Sequence, residues 1–158
     1  MVPKREIMKI AVSRAESTGL QLGMGGPFGA IIVKDNAVIS LESNSVLSSH
    51  DPTAHAEINA IRAAGKVLRT HDLSGCELYT TCYPCPMCLS AIIWANIKKV
   101  YYGCTSQDAA NIGFRDDFIY KFIESGRSDN SVLDLTEIHR DVCLPLFSKY
   151  TADLGEIY

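Results

Sequence analysis

Residues 77–102 read ELYTTCYPCPMCLSAIIWANIKKVYY, and the order of elements in this stretch decides the architecture. Glu77-Leu78-Tyr79-Thr80 is short and β-prone, Pro84 to Ala95 is an apolar helical run opened by prolines, and Lys99-Val100-Tyr101-Tyr102 is β-prone again. Strand, helix and strand in so short a span predict a crossover unit in a sheet whose faces carry helices. Upstream, Asp51-Pro52-Thr53 looks like a helix start. The residues from Ala54 to Lys66 carry Ala56, Ile58, Ala60, Ile61 and Ala64 at helical spacing and should stop near Gly65. Before that, Ala30–Val33 and Ala37–Leu41 read as two strands. The Asp35-Asn36 turn between them makes the pair antiparallel. Ile7, Met8, Ala11, Val12 and Ala15 define a first helix that ends near Gly19. The expected order is αββαβαβ, an α/β fold of three α/β/α layers around a mixed central sheet. Downstream, Phe118 to Ile123 and Pro145 to Leu154 carry apolar stripes, and these tail helices should cover the domain or pack on a partner subunit.

The chain has 158 residues, 47% of them hydrophobic, which suits one domain over residues 1–158 with a sizeable core. Proline and glycine are scattered and no repeat or linker stands out. The basic start Met1-Val2-Pro3-Lys4-Arg5 leads into a segment broken by Lys9, Ser13, Arg14 and Glu16, so neither a signal peptide nor a membrane span is expected there. A cytoplasmic protein with reduced cysteines follows. Of the six cysteines, Cys76, Cys104 and Cys143 lie among apolar neighbours and are expected in the core. A net charge of −3, with Lys98-Lys99 as the only adjacent lysine pair, argues against a nucleic-acid partner.

Chemistry concentrates in two places, His55-Ala56-Glu57 and Pro84-Cys85-Pro86-Met87-Cys88. Two thiolates and one imidazole suit tetrahedral Zn²⁺ and leave its fourth position open, as catalysis needs. Cys85 and Cys88 are three apart and share one face of a first helical turn, where the helix dipole favours thiolates. Glu57 lies about 200° around an ideal helix from His55, so both do not ligate one ion. At a helix start, Glu57 instead stands beside the metal as a proton acceptor and donor. HxE followed by PCxxC is the signature of zinc deaminases. Cys82 precedes the pair by three residues, and Tyr83-Pro84 favours extended backbone that points it elsewhere.

At this point the chain resembles the cytidine/deoxycytidylate deaminase superfamily, and more closely its bacterial guanine deaminases. Asp51 to Glu57 and Pro84 to Cys88 are shared with tRNA adenosine deaminases. Gly25-Gly26-Pro27-Phe28-Gly29-Ala30, the segment Gly113 to Tyr120 and a terminal Tyr158 look like the guanine enzymes. The resemblance implies a cytidine-deaminase-like fold and one Zn²⁺ per subunit on His55, Cys85 and Cys88, with Glu57 shuttling protons. It further implies hydrolysis of the purine base guanine to xanthine and ammonia, a step of purine catabolism. Asn44 would hydrogen-bond the purine, Phe28 and Trp94 would wall the pocket, Asp116 would accept from the guanine amino edge, and Tyr158 would close the pocket. A homodimer is implied, with the C-terminal segment from about 115 to 158 exchanged between subunits. Two departures stand out: Tyr83 replaces the Glu common before PCxxC, and Arg115 sets a positive charge beside Asp116, whose neighbour Asp117 is easily confused with it.

Each of these residues also has a plainer reading. Asn44 is a common turn former, Asp116 a common helix cap, Trp94 an ordinary core residue, Phe28 packing under a glycine turn, and Tyr158 a frayed end. His50, His71 and His139 read as surface residues. The rival functions are a tRNA adenosine deaminase, a deaminase of another aminopurine, nucleoside or aminotriazine, and a non-catalytic zinc module.

Overall fold

The computed structural model of the chain describes residues 2–158, in two compact units, Met1–Asp117 and Phe118–Tyr158. In the first unit the order is α1 (Lys4–Ala15), a π-turn (Glu16–Leu20), β1 (Gly29–Lys34), β2 (Ala37–Ser43), α2 (Val46–Ser49), α3 (Ala56–Leu68), β3 (Glu77–Cys82), α4 (Pro86–Trp94), β4 (Lys99–Cys104) and α5 (Ser106–Asn111). Next come α6 (Asp117–Glu124), which begins at the boundary, and α7 (Arg140–Ala152). Among the described residues no helix is long and apolar enough to cross a membrane.

The sheet order is β2-β1-β3-β4. β1 pairs antiparallel with β2 and with β3, whereas β3 and β4 run parallel, as the β3–α4–β4 crossover requires. Asp35 and Asn36 both have left-handed φ, 49° and 63°, the geometry of a two-residue hairpin turn whose twist matches the strands.

Alternation along β1 sorts the core into two faces. Ala30 and Ile32 pack with Ala56, Ala60 and Ala64 of α3 and Ile92 of α4, while Ile31 and Val33 pack with Ile7 and Ala11 of α1 and Tyr79 of β3. The result is three layers, α1 below the sheet and α3 with α4 above it. Alanine on α3 and α1 lets the helices lie close, and Gly29 extends this, because a Cβ there would collide with the Ala11 carbonyl.

Several boundaries differ from the sequence reading. Gly65 lies inside α3, which runs to Leu68 and stops where Arg69 takes the left-handed conformation. Asp51-Pro52-Thr53 is an Asx turn, in which Asp51 Oδ1 accepts from the Thr53 N–H at 2.8 Å and from its hydroxyl at 2.7 Å, and the helix starts later, at Ala56 with His55 as its N-cap. α7 begins at Arg140 and contains Pro145 instead of starting there. Cys76 is buried as expected, but Cys104 and Cys143 are exposed, because Cys104 ends an edge strand and Cys143 lies on the solvated α7.

Candidate active site

His55 and Cys85 are the N-cap residues of α3 and α4, both in extended backbone, and Cys88 is the third residue of α4. Pro86 at the first helical position is preset for that turn, its missing N–H being one the helix would leave unpaired. Because α3 and α4 pack side by side on one face of the sheet, their N-termini bring the three side chains together. Cys85 Sγ and Cys88 Sγ each lie 3.6 Å from His55 Nδ1, and these three ligand atoms fall within 4.8 Å of one another. Tetrahedral zinc with bonds of about 2.3 Å to sulfur and about 2.05 Å to nitrogen separates S from N by about 3.6 Å. The donor set fits Zn²⁺ in both kind and spacing, and Cys82 stands outside it.

Charge in the metal-free protein is arranged accordingly. A hydrogen bond from Cys88 and another with His55 hold the Cys85 thiol down to about 4, while the same sharing with Cys85, together with burial, pushes Cys88 up. The Cys85 contact raises His55. A thiolate, a thiol and an imidazole biased toward its cation result, and a divalent ion displaces the protons of the last two.

Glu57 is the second residue of α3 and only 6% exposed. Burial raises its carboxyl. Oε2 lies 3.5 Å from Cys88 Sγ, and Oε1 is 3.1 Å from the Thr80 hydroxyl of β3. That hydroxyl is equally near, at 3.1 Å, to the Cys82 carbonyl, so its single proton serves one or the other. The carboxylate therefore borders the ligand set without belonging to it.

The remaining predicted residues fall into two groups. Asn44 is buried, 5% exposed, and its Oδ1 accepts from the N–H groups of Val46 at 3.0 Å and Gly26 at 3.3 Å, which orients the amide with its NH₂ as the donor. Gly25 is needed beside it, since a Cβ there would collide with Asn44 Oδ1. Phe28 meets Phe114 edge to face, centroids 5.1 Å apart. Asp116 is half-buried; burial raises its carboxyl and the negative charge of Cys85 adds to the rise, so it stands within electrostatic reach of the metal set. Arg115 is engaged by Asp117 through two contacts, at 3.0 and 2.9 Å. In the second group, Trp94 closes α4 at 72% exposure, neither core nor beside the ligands, and about 9 Å along the helix from Cys88. Tyr158, at 80% exposure, belongs to the second unit.

Three contributors escaped the sequence reading. Thr80 reads only as strand in the sequence. Asn59, whose Nδ2 donates to the Ser43 carbonyl at 2.9 Å and to Ser45 Oγ at 3.0 Å, ties α3 to the turn that carries Asn44. Phe114 is Phe28's partner from a distant loop. Nothing local marks Thr80 or Asn59, and Phe114 stands in the Gly113–Tyr120 segment with no role of its own in the sequence, because all three roles arise where separate elements meet.

Comparison with known proteins gives concordant matches. The family model of the cytidine and deoxycytidylate deaminase zinc-binding region matches residues 1–104. Guanine deaminase of Bacillus subtilis is 52% identical over 125 residues, 79% of this chain and 80% of that protein. A tRNA-specific adenosine deaminase of Agrobacterium fabrum is 40% identical over 103 residues, 65% of this chain and 66% of that protein. The X-ray structure of guanine deaminase from B. subtilis aligns with a TM-score of 0.87 at 44% identity, over 96% of this chain and 95% of that one.

Proposed function

The chain belongs to the cytidine and deoxycytidylate deaminase family defined by that zinc-binding region, and from this premise we propose that it hydrolyses guanine to xanthine and ammonia. The observation that carries the hydrolytic part is a buried, unligated Glu57 held at the rim of a His-Cys-Cys set by Thr80. Its likeness to B. subtilis guanine deaminase across most of both chains supports the choice of base.

When bound on His55, Cys85 and Cys88, Zn²⁺ supplies Lewis acidity and makes water nucleophilic at neutral pH. Glu57 Oε2, the oxygen facing Cys88, takes a proton from the attacking water and hands it to the ring nitrogen beside C2; it then takes the second proton, from the hydroxyl newly bonded to C2, and delivers it to the amine as the C2–N bond breaks. The Thr80 hydroxyl, shared between Oε1 and the Cys82 carbonyl, lies beside Oε1 and leaves Oε2 toward the reacting atoms. The Asn44 NH₂ donates to a ring acceptor of the base. Asp116 accepts from its N–H edge, and Arg115 does not compete because Asp117 holds it. Phe28 and Phe114, packed edge to face, supply an apolar wall for the ring.

Trp94 and Tyr158 complete the pocket in a homodimer whose C-terminal segments, from about residue 115 to 158, are exchanged. Support comes from apolar side chains left open in this chain. Ile93 and Trp94 are exposed on α4, and the second unit has only Phe122 buried among its described residues while Leu146, Phe147 and Ile157 face solvent.

The test is ammonia release from zinc-loaded protein given guanine, adenine, cytosine, guanosine or an adenosine-bearing tRNA anticodon stem-loop, with Glu57→Gln in parallel. Guanine turnover lost in the variant is the expected result. Turnover of the stem-loop alone, steeply weakened by salt, moves the protein to tRNA editing, which its 40% identity to a tRNA-specific deaminase favours and its net charge of −3 opposes.

A further inference from the structure

Two cysteines outside the ligand set occupy the last rung of the parallel β3–β4 ladder, where Cys82 is paired with Cys104. Residues paired across neighbouring strands have side chains on the same face, and strands lie about 4.8 Å apart, inside the roughly 4.4–6.8 Å between Cα atoms that a disulfide spans. Both residues line an apolar cavity of about 380 Å³, shared with Val12, Ala15, Phe28 and Ile112, which leaves room for side-chain rotation. The Cys82 thiol makes a long hydrogen bond, 3.5 Å to the Thr105 carbonyl. Cys104 is exposed, while Cys82 is buried.

We propose that Cys82 and Cys104 are a reversible oxidation site, closing to an intrachain disulfide when hydrogen peroxide reaches the open end of the sheet. Exposed Cys104 reacts first. Its sulfur attacks the peroxide O–O bond and becomes a sulfenic acid, with one water leaving. The Cys82 sulfur then attacks the Cys104 sulfur, the S–O bond breaks, and a second water leaves with the Cys82 proton. Two thiols and one peroxide thus give one disulfide and two waters, sulfur being oxidised and oxygen reduced. Burial holds the Cys82 thiol up near 11, so the second step is the slow one and the pair closes under sustained exposure. The bond fastens the end of β3 just before Tyr83-Pro84-Cys85, and Tyr83 already donates its N–H to the Cys104 carbonyl at 2.8 Å.

Zinc-loaded protein is treated with hydrogen peroxide, alkylated, proteolysed without reductant and read by mass spectrometry, with zinc content measured alongside. The expected result is loss of two free thiols per chain and a Cys82–Cys104 linked peptide. Dithiothreitol should reverse it, Cys104→Ser should abolish it, and zinc should stay bound. Because Cys104 is exposed, that variant tests the pair without disturbing the core. The proposal is overturned if Cys104 ends as a sulfinic acid without the link, if it joins two copies on a non-reducing gel, or if the peroxide strips zinc and couples Cys85 to Cys88 instead.

Discussion

Glu57 sits where burial opposes its charge, and that tension makes it useful. Glu57→Gln should lower guanine turnover by roughly 10²–10⁴-fold, the worth of a positioned proton carrier, while metal analysis still finds one zinc per chain. Retained turnover would assign the proton transfers elsewhere. Thr80 acts through Glu57, so Thr80→Val should cut kcat by about tenfold or more with KM little changed, and Thr80→Ser should restore most of it. The same carboxyl costs stability in the metal-free protein. Its folded pKa is raised, so its contribution is complete below its ordinary value of 4.5 and is lost as pH rises through the folded value. Cys85 has the opposite sign: lowered from 9.0 to about 4, its contribution is complete above about 9 and lost as pH falls through about 4. Metal-free Glu57→Gln should therefore melt above the metal-free parent at pH 8, with the gain vanishing toward pH 4. A constant gain across that range would mean that packing, not ionisation, is what changed. The Cys85–Cys88 pair and the placing of His55 and Glu57 at one helix start were readable from the sequence because spacing within a single helical turn dictates the geometry inside each motif. Thr80 and Asn59 were not, since a β-strand threonine and a mid-helix asparagine gain their partners only when strands and helices are assembled.

At the scale of elements, two helix N-termini do the metal site's work. They supply extended N-cap backbone at His55 and Cys85 and a dipole that favours the anionic sulfur. Because Cys88 holds its proton and His55 leans toward its cation, zinc uptake at pH 7 should release between about one and two protons per chain. Calorimetry in two buffers of different ionisation enthalpy measures this number, and identical enthalpies in the two would contradict the charge arrangement. The glycine turn before β1 matters equally. Gly25→Ala should displace Asn44 and impair turnover well beyond its effect on melting temperature, because the added Cβ collides with the amide proposed to face the base. Element types were legible wherever the apolar period was clean, as in α1, α3 and the β1–β2 hairpin. Ends were less so: Gly65 reads as a stop, yet packing carries α3 onward to Leu68. Short α5 announces itself only through the Thr105–Asp108 capping box, which is a weak signal without a hydrophobic run behind it.

At the scale of the whole molecule, the first unit keeps an ordinary two-sided core and the second has almost none. Exposed Leu146, Phe147 and Ile157 call for a covering surface, which the proposed partner subunit supplies. Light scattering should give twice the 17.3 kDa of one chain, and a chain ending at Asp117 should lose guanine turnover far more than it loses zinc. A monomer with full activity would remove the exchange of tails. Sequence patterns outlined the tail helices but not their setting, because amphipathic stripes state that a face must be buried and leave open against what.

The distance along the chain between the two N-cap ligands has a consequence for folding. His55 and Cys85 are 30 residues apart, so an ion gripping both turns that stretch into a ring. Closing a ring of this size removes about 3.6 kcal/mol of chain entropy from the unfolded ensemble. The stretch contains all of α3 and β3, one helix and one strand of the central α/β pairing. A chain that meets its ion early would thus begin folding with that search already narrowed, and the catalytic ion would double as the fastener of its own pocket.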